Sequence, residues 1–198
     1  MNTTLLNLIK GERVKLPTKF GDFELIVFKD KESGLEHIAI IKGTSNLKGD
    51  WLTRVHSACA TGDLFGSLRC DCGEQLARSL QLIEKNGKGI LIYLMQEGRG
   101  IGLLNKIKAY KLQENGMDTV DANLKLGFKP DERNYDIAAS ILKTLNISEI
   151  NLLTNNPDKV LKLEENGIQI KKRVPLKITP NTHNIKYFET KVSKMGHL

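Results

Sequence analysis

The chain has 198 residues, enough for one domain with a single core, and its 40% hydrophobic content excludes wholesale disorder. No apolar run reaches the ~18–20 residues that span a bilayer, and a net charge of +7 suits an anionic partner. Basic residues scattered along the chain and only 6% aromatics favour a phosphorylated small molecule over nucleic acid.

Short β-branched runs dominate the first third: FELIVF at 23–28, HIAII at 37–41 and LTRVH at 52–56. Each is bounded by Gly, Asp or Lys, which predicts a small antiparallel meander. From Gly73 the apolar period becomes helical through Leu76, Leu80 and Ile83, and Asn86-Gly87 supplies a left-handed stop. GILIYL at 89–94 predicts a buried strand, followed by a helix through Leu103, Ile107 and Tyr110 to Asn115-Gly116. Ile137, Ile141, Leu142 and Leu145 mark another helix, and INLL at 150–153 a strand. Asn156-Pro157 then opens a helix with Pro in its favoured first position. The alternation predicts a mixed α/β class: a β-rich N-terminal portion, then βαβ units around a sheet with packed helices. With no repeat and no long linker, one domain over 1–198 is expected. The opening stretch MNTTLLNLIKGERVK is too interrupted for a secretory leader, so a soluble cytoplasmic protein with no membrane partner is expected.

The chain has 3 cysteines, Cys59, Cys70 and Cys72, clustered in CATGDLFGSLRCDC. An odd, local set is not a disulfide framework, and in a reducing compartment it reads as metal-binding or catalytic. Three thiolates with an open fourth position describe a catalytic zinc; with His56 as fourth ligand they describe a closed structural one. Three unrelated buried thiols are the plain alternative. Gly62, Asp63, Asp71 and Gly73 mark tight turns, which favours a site built from loops. EGRG at 97–100 lies between a predicted strand and a predicted helix, where glycines admit close backbone approach and free N–H groups meet an anion.

The run RVHSACATGDLFGSLRCDCG at 54–73 closely resembles the GTP cyclohydrolase II family. The resemblance continues through QEGRGIGLLNKIKAY at 96–110, DTVDAN at 118–123, LGFKPDERNYD at 126–136, LLTNNPDKV at 152–160 and KMGHL at 194–198. It runs from about Lys15 onward and so implies that residues 1–14 are a variable N-terminal extension. It implies an enzyme that opens the imidazole ring of GTP at the start of riboflavin synthesis. The products implied are formate, pyrophosphate and a deformylated diaminopyrimidinone nucleotide. One zinc per chain would sit on Cys59, Cys70 and Cys72, activating water for attack at C8 of guanine. Zinc-dependent base deaminases share that logic, but their sequence signature is absent here. GTP contacts are implied at Arg54, Val55, His56, Ser57, Ala58, Gln75, Glu97, Gly98, Arg99, Thr119, Thr154 and Lys159. Arg and Lys suit the triphosphate, Gln and Glu the guanine edge, and Mg2+ would accompany the phosphates.

By the same resemblance Asp131 is a proton acceptor and Arg133 attacks or clamps the α-phosphate; a guanidinium that stays protonated is better suited to clamping. Tyr110 falls where the family places a tyrosine for the second hydrolysis. Ala58 departs from the pattern, since the family usually carries Glu there. A homodimer is implied, and the chain is expected to be monofunctional, without room for the fused dihydroxybutanone-phosphate synthase domain. The rivals are a related cyclohydrolase that stops at the formamidopyrimidine nucleotide and a zinc-structured nucleic-acid binder.

Overall fold

A computed structural model describes residues 7–44 and 49–195. Gly196, His197 and Leu198 of the closing KMGHL run, and the first six residues of the expected extension, lie outside the described residues. The chain forms two compact units. One comprises the described residues up to His56 with Leu76–Met95 and Tyr135–Leu176; the other comprises Ser57–Gln75, Gln96–Asn134 and the described residues from Lys177 on.

The first unit is a sheet with helices. Among the described residues seven strands are formed: β1 (Leu8–Thr18), β2 (Gly21–Asp30), β3 (Glu36–Lys42), β4 (Trp51–Ser57), β5 (Gly89–Leu94), β6 (Glu149–Leu153) and β7 (Gln169–Val174). They lie in the order β1-β2-β3-β5-β4-β6-β7. β1, β2, β3 and β5 pair antiparallel in succession, and β4, β6 and β7 pair parallel. The mixed α/β class with a β-rich first part is what the sequence predicts. The meander needs correction in one strand. LTRVH does not follow HIAII in the sheet, because β5 lies between β3 and β4. β4 pairs instead with β6, Trp51 opposite Ile150 and Thr53 opposite Leu152. Its five inner residues are all buried, the signature of a central strand covered on both faces. The outer place in the meander goes to β1, whose residues from Leu8 to Val14 pair with β2 inside the expected extension.

Alternation along the strands divides the core into two layers. Ile90, Ile92 and Leu152 join one cluster with Ala138, Ile141 and Leu142 of α5 (Asp136–Thr144) and Leu163 of α6 (Pro157–Glu165). Leu91 and Leu153 point the other way, to Leu80 and Ile83 of α2 (Cys72–Asn86). Each such side chain contributes roughly 1.5–3 kcal/mol on burial. Asn156 caps α6 by accepting from the Asp158 N–H with Pro157 at the first turn, as predicted, and β6-α6-β7 is a parallel βαβ unit.

The second unit carries α1 (Ala60–Asp63), the first residues of α2, a 3-10 turn at Glu97–Gly100, α3 (Gly102–Glu114), α4 (Thr119–Lys125) and α7 (Ile185–Met195). Asp118 caps α4 by accepting from the Val120 and Asp121 N–H groups. No helix of the described residues is long and apolar enough to cross a membrane.

Candidate active site and metal centre

The cysteine loop is built around short local bonds. Cys59 donates its N–H to the Asp63 carboxylate and accepts from the Asp63 N–H, which closes α1 behind it. Cys72 starts α2, so a turn and two helix ends bring the thiols together. The Cys59 and Cys70 sulfurs are 3.7 Å apart, and all three sulfurs lie within 4.8 Å of one another. That spacing is too wide for a disulfide. It matches a tetrahedral ion, since two sulfurs each about 2.3 Å from zinc stand ~3.8 Å apart.

Two glycines make room for this. A Cβ on Gly62 would sit 2.9 Å from the Cys70 sulfur and 3.3 Å from that of Cys59, so the cradle exists only because the side chain is missing. A Cβ on Gly73 would meet the Gly62 carbonyl oxygen at 2.4 Å. Both glycines read as turn formers in sequence; in the fold they are close approaches. Hydrogen bonds from Cys70 and Cys72, with Lys106 adding to them, hold the Cys59 thiol far below its ordinary value as a thiolate. The bond to Cys59 pushes Cys70 up to about 11, and bonds to Cys59 and Cys70 with burial raise Cys72. Among the described residues these three are the group able to hold a metal. His56, the fourth ligand of the closed alternative, stacks its ring on Tyr93 at 5.4 Å.

A pocket within the second unit collects the thiols with much of the predicted site. Ser57, Ala58, Glu97, Gly98, Arg99, Tyr110, Thr119 and Arg133 line it together with Cys59, Cys70 and Cys72. Gly98 and Arg99 both take left-handed backbone, φ 64° and 63°. For arginine that conformation costs roughly 1–2 kcal/mol, so the surroundings must impose it. The Arg99 carbonyl accepts from the Glu132 N–H at 3.0 Å, and the Gln96 side chain clamps Asn134 through two further bonds. The Arg99 guanidinium lies 5.8 Å from the centroid of the Tyr187 ring.

Asp131 does not line the pocket but grips the residue that does. The Arg133 Nε donates to both Asp131 oxygens at 2.8 and 3.0 Å, and Nη2 completes the fork. Burial works against the carboxylate, yet the Arg133 bonds and charge hold Asp131 below the ordinary carboxylate range. Tyr110 shares a 3.4 Å hydrogen bond with the Thr61 hydroxyl, and burial raises its phenol. Gln75 donates to Asp71. Glu97 is more occupied than a free base reader: Oε2 accepts from the Ala60 N–H, Oε1 from the Gly98 N–H and from Lys106.

The other named residues belong to the sheet unit. Val55 is a core residue whose carbonyl accepts from the Lys159 ammonium at 2.7 Å. Arg54 donates to the Leu153 carbonyl at 3.0 Å, and the Thr154 hydroxyl accepts from the Asn156 N–H at 3.1 Å. Lys159, easily read as a surface charge, is buried over the Tyr135 ring.

Sequence reasoning missed six pocket residues, Ile101, Lys106, Ala109, Gln113, Asn123 and Tyr187, of which Lys106 and Tyr187 bring a charge and an aromatic ring. Lys106 lies one helical turn before Tyr110, a spacing that places both on one face. Tyr187 comes from α7 and carries no local signal.

The sequence profile of a family described as GTP cyclohydrolase II matches residues 10–175. A riboflavin biosynthesis protein RibBA of Phocaeicola vulgatus is 57% identical over 188 residues, which is 95% of this chain and 46% of that protein. A protein of the same name from Bacillus cytotoxicus is 52% identical over 189 residues, 96% of this chain and 48% of the relative. The chain thus spans about half the length of the curated relatives it matches. A solved structure described as RibBX, a two-domain 3,4-dihydroxy-2-butanone 4-phosphate synthase from A. baumannii, matches 76% of the chain and 36% of its own at TM-score 0.42 and 18% identity.

Proposed function

The chain belongs to the GTP cyclohydrolase II family, and from that premise we propose that it hydrolyses GTP to formate, pyrophosphate and the deformylated diaminopyrimidinone nucleotide for riboflavin biosynthesis. The observation that carries the reading is one pocket holding three sulfurs, all within 4.8 Å of one another, beside Arg99, Arg133 and Tyr110. Cys59, Cys70 and Cys72 would hold one zinc, which when bound polarises water and substrate for hydrolysis at neutral pH.

The chain's own groups divide the remaining work. Arg133, aimed by the Asp131 fork, presents a fixed positive charge where pyrophosphate would leave, and transition-state charge is what such a group stabilises. Arg99 supplies a second cation on a backbone held rigid by Glu132. The Arg133 bonds favour the ionised form of Asp131, which suits it to aiming Arg133; its role as proton acceptor is the one the resemblance implies. Tyr110, with a raised phenol, keeps its proton and donates it as a hydrogen bond to an oxygen that gains charge in the second hydrolysis. The substrate contacts assigned by resemblance to Arg54, His56, Thr154 and Lys159, the Mg2+ on the triphosphate, the homodimer and the cytoplasmic location belong to the same proposal. Leu103, Leu104 and Ile107 are exposed on α3, apolar surface of the kind a second copy covers.

The test is direct. Zinc-loaded protein incubated with GTP should yield formate, pyrophosphate and a nucleotide lacking both, identified by mass. A product that retains the formyl carbon would favour the formamidopyrimidine cyclohydrolase, and no nucleotide turnover would overturn the proposal.

A further inference from the structure

α3 buries the wrong residues for a core helix. Lys106 is 8% and Ala109 3% exposed, while Leu103, Leu104 and Ile107 are left at 45%, 71% and 48%. Burying an ammonium is costly unless it is fully paired. Lys106 is paired three ways: Nζ donates to the Cys59 sulfur at 3.1 Å, to the Thr61 hydroxyl at 2.9 Å and to the Glu97 carboxylate at 2.9 Å. An ammonium has three hydrogens, and each has its own acceptor. Three acceptors around one point match a compact ammonium, where arginine would bring a planar fork of five donors.

We infer that Lys106 is the positioning residue of this site, a buried cation that neutralises one thiolate of the cysteine cluster and ties it to the Glu97 carboxylate. The metal part of this inference rests on the zinc reading above. Three thiolates around a divalent ion leave one net negative charge, and the ammonium cancels it. Its hydrogen bond draws electron density from the Cys59 sulfur, which leaves the bound ion a stronger Lewis acid. Its second bond fixes Glu97, whose other oxygen holds the Ala60 N–H at the start of α1. One side chain therefore couples the cysteine loop to the 3-10 turn that carries Gly98 and Arg99. Without it, a carboxylate and a thiolate would lie close together in a pocket meant for an anionic substrate, and like charges so placed repel.

Cobalt substitution reads this coupling apart from turnover. In Co2+-loaded protein the thiolate-to-cobalt absorption reports the electron density on sulfur. Lys106→Met keeps the stem and removes the charge, and it should move that band to longer wavelength while the metal stays bound. Formate release should fall roughly 10–100-fold, the range typical for loss of a group that orients a metal ligand. Lys106→Gln serves as the second variant should Lys106→Met not fold; it keeps a donor without the charge and should shift the band in the same direction. An unmoved band with parental formate release in either variant overturns the inference. If the parent gives the thiolate band but no GTP turnover, the proposed function fails while the band shift still decides on Lys106. If the parent shows no thiolate band, the metal reading and this inference fall together.

Discussion

Gly62→Ala adds one carbon atom to the floor of the cysteine cradle. The new Cβ would stand 2.9 Å from the Cys70 sulfur, 3.0 Å from the Cys72 Cβ and 3.3 Å from the Cys59 sulfur. An ordinary contact begins near 3.4 Å, so the Cys70 sulfur must retreat by about 0.5 Å. Metal–ligand distances tolerate about 0.2 Å. The neighbours cannot absorb the shift at low cost, because Gly73 already packs against the Gly62 carbonyl and Cys72 begins a helix. Overpacking of this kind costs about 1–3 kcal/mol. Zinc affinity is expected to fall at least tenfold, about 1.4 kcal/mol, with a lower melting temperature in the absence of metal. Competition against a chromogenic zinc chelator gives the affinity, and thermal unfolding of the apo protein gives the stability. Parental zinc affinity in Gly62→Ala would refute the argument that this turn sets the sulfur spacing.

Four further outcomes are expected. Arg133→Ala should greatly reduce pyrophosphate release with zinc still bound, and parental release would remove Arg133 from the catalytic set. Asp131 has its carboxyl held below the ordinary 3.8, so its ion pair stabilises the fold above that pH and is lost as pH falls through the lowered value; Asp131→Asn should flatten this acid limb in a stability–pH profile. Ala58→Glu places a carboxylate beside Cys59 in the pocket and should change rate or affinity modestly, whereas a parent that releases pyrophosphate without formate would show that the missing carboxylate matters for the second hydrolysis. Tyr187→Ala removes an aromatic wall facing Arg99 and should raise KM for GTP more than it lowers kcat, with unchanged KM as the contrary result.

What was legible in sequence followed from burial patterns. β5 and α6 announce themselves because one is apolar throughout and the other opens on Asn-Pro. β1 and β7 do not, since both are edge strands rich in exposed Lys, Glu and Arg, and only pairing with a neighbour makes them strands. The position of β4 was out of reach, because a strand's neighbours are chosen by distant segments. In α3 the period identifies the helix but not its inner face: Leu103 and Ile107 mark the turns and remain exposed. The cysteines were legible by residue type and spacing. Lys106 was not, because a helical lysine ordinarily faces water and only the acceptors around it explain its burial. Tyr187 is separated from every other pocket residue by more than fifty positions, a contact that no local pattern encodes.

The interleaving of the two units has a temporal consequence during synthesis. β1, β2 and β3 are joined by short connections and can pair as they emerge. β4 cannot complete its pairing then, since Trp51 waits for Ile150. At about 5–20 residues per second a ribosome needs roughly 5–20 s to deliver the partner. Throughout that interval one edge of a strand bound for the interior of the sheet lacks its partner, the state in which nascent chains meet holdase chaperones. The cysteines emerge shortly after β4 and Tyr187 more than a hundred residues later. Under the proposed zinc reading, capture by the nascent chain comes within reach before the pocket wall from α7 exists, which would make metal loading an early event and completion of the pocket a late one.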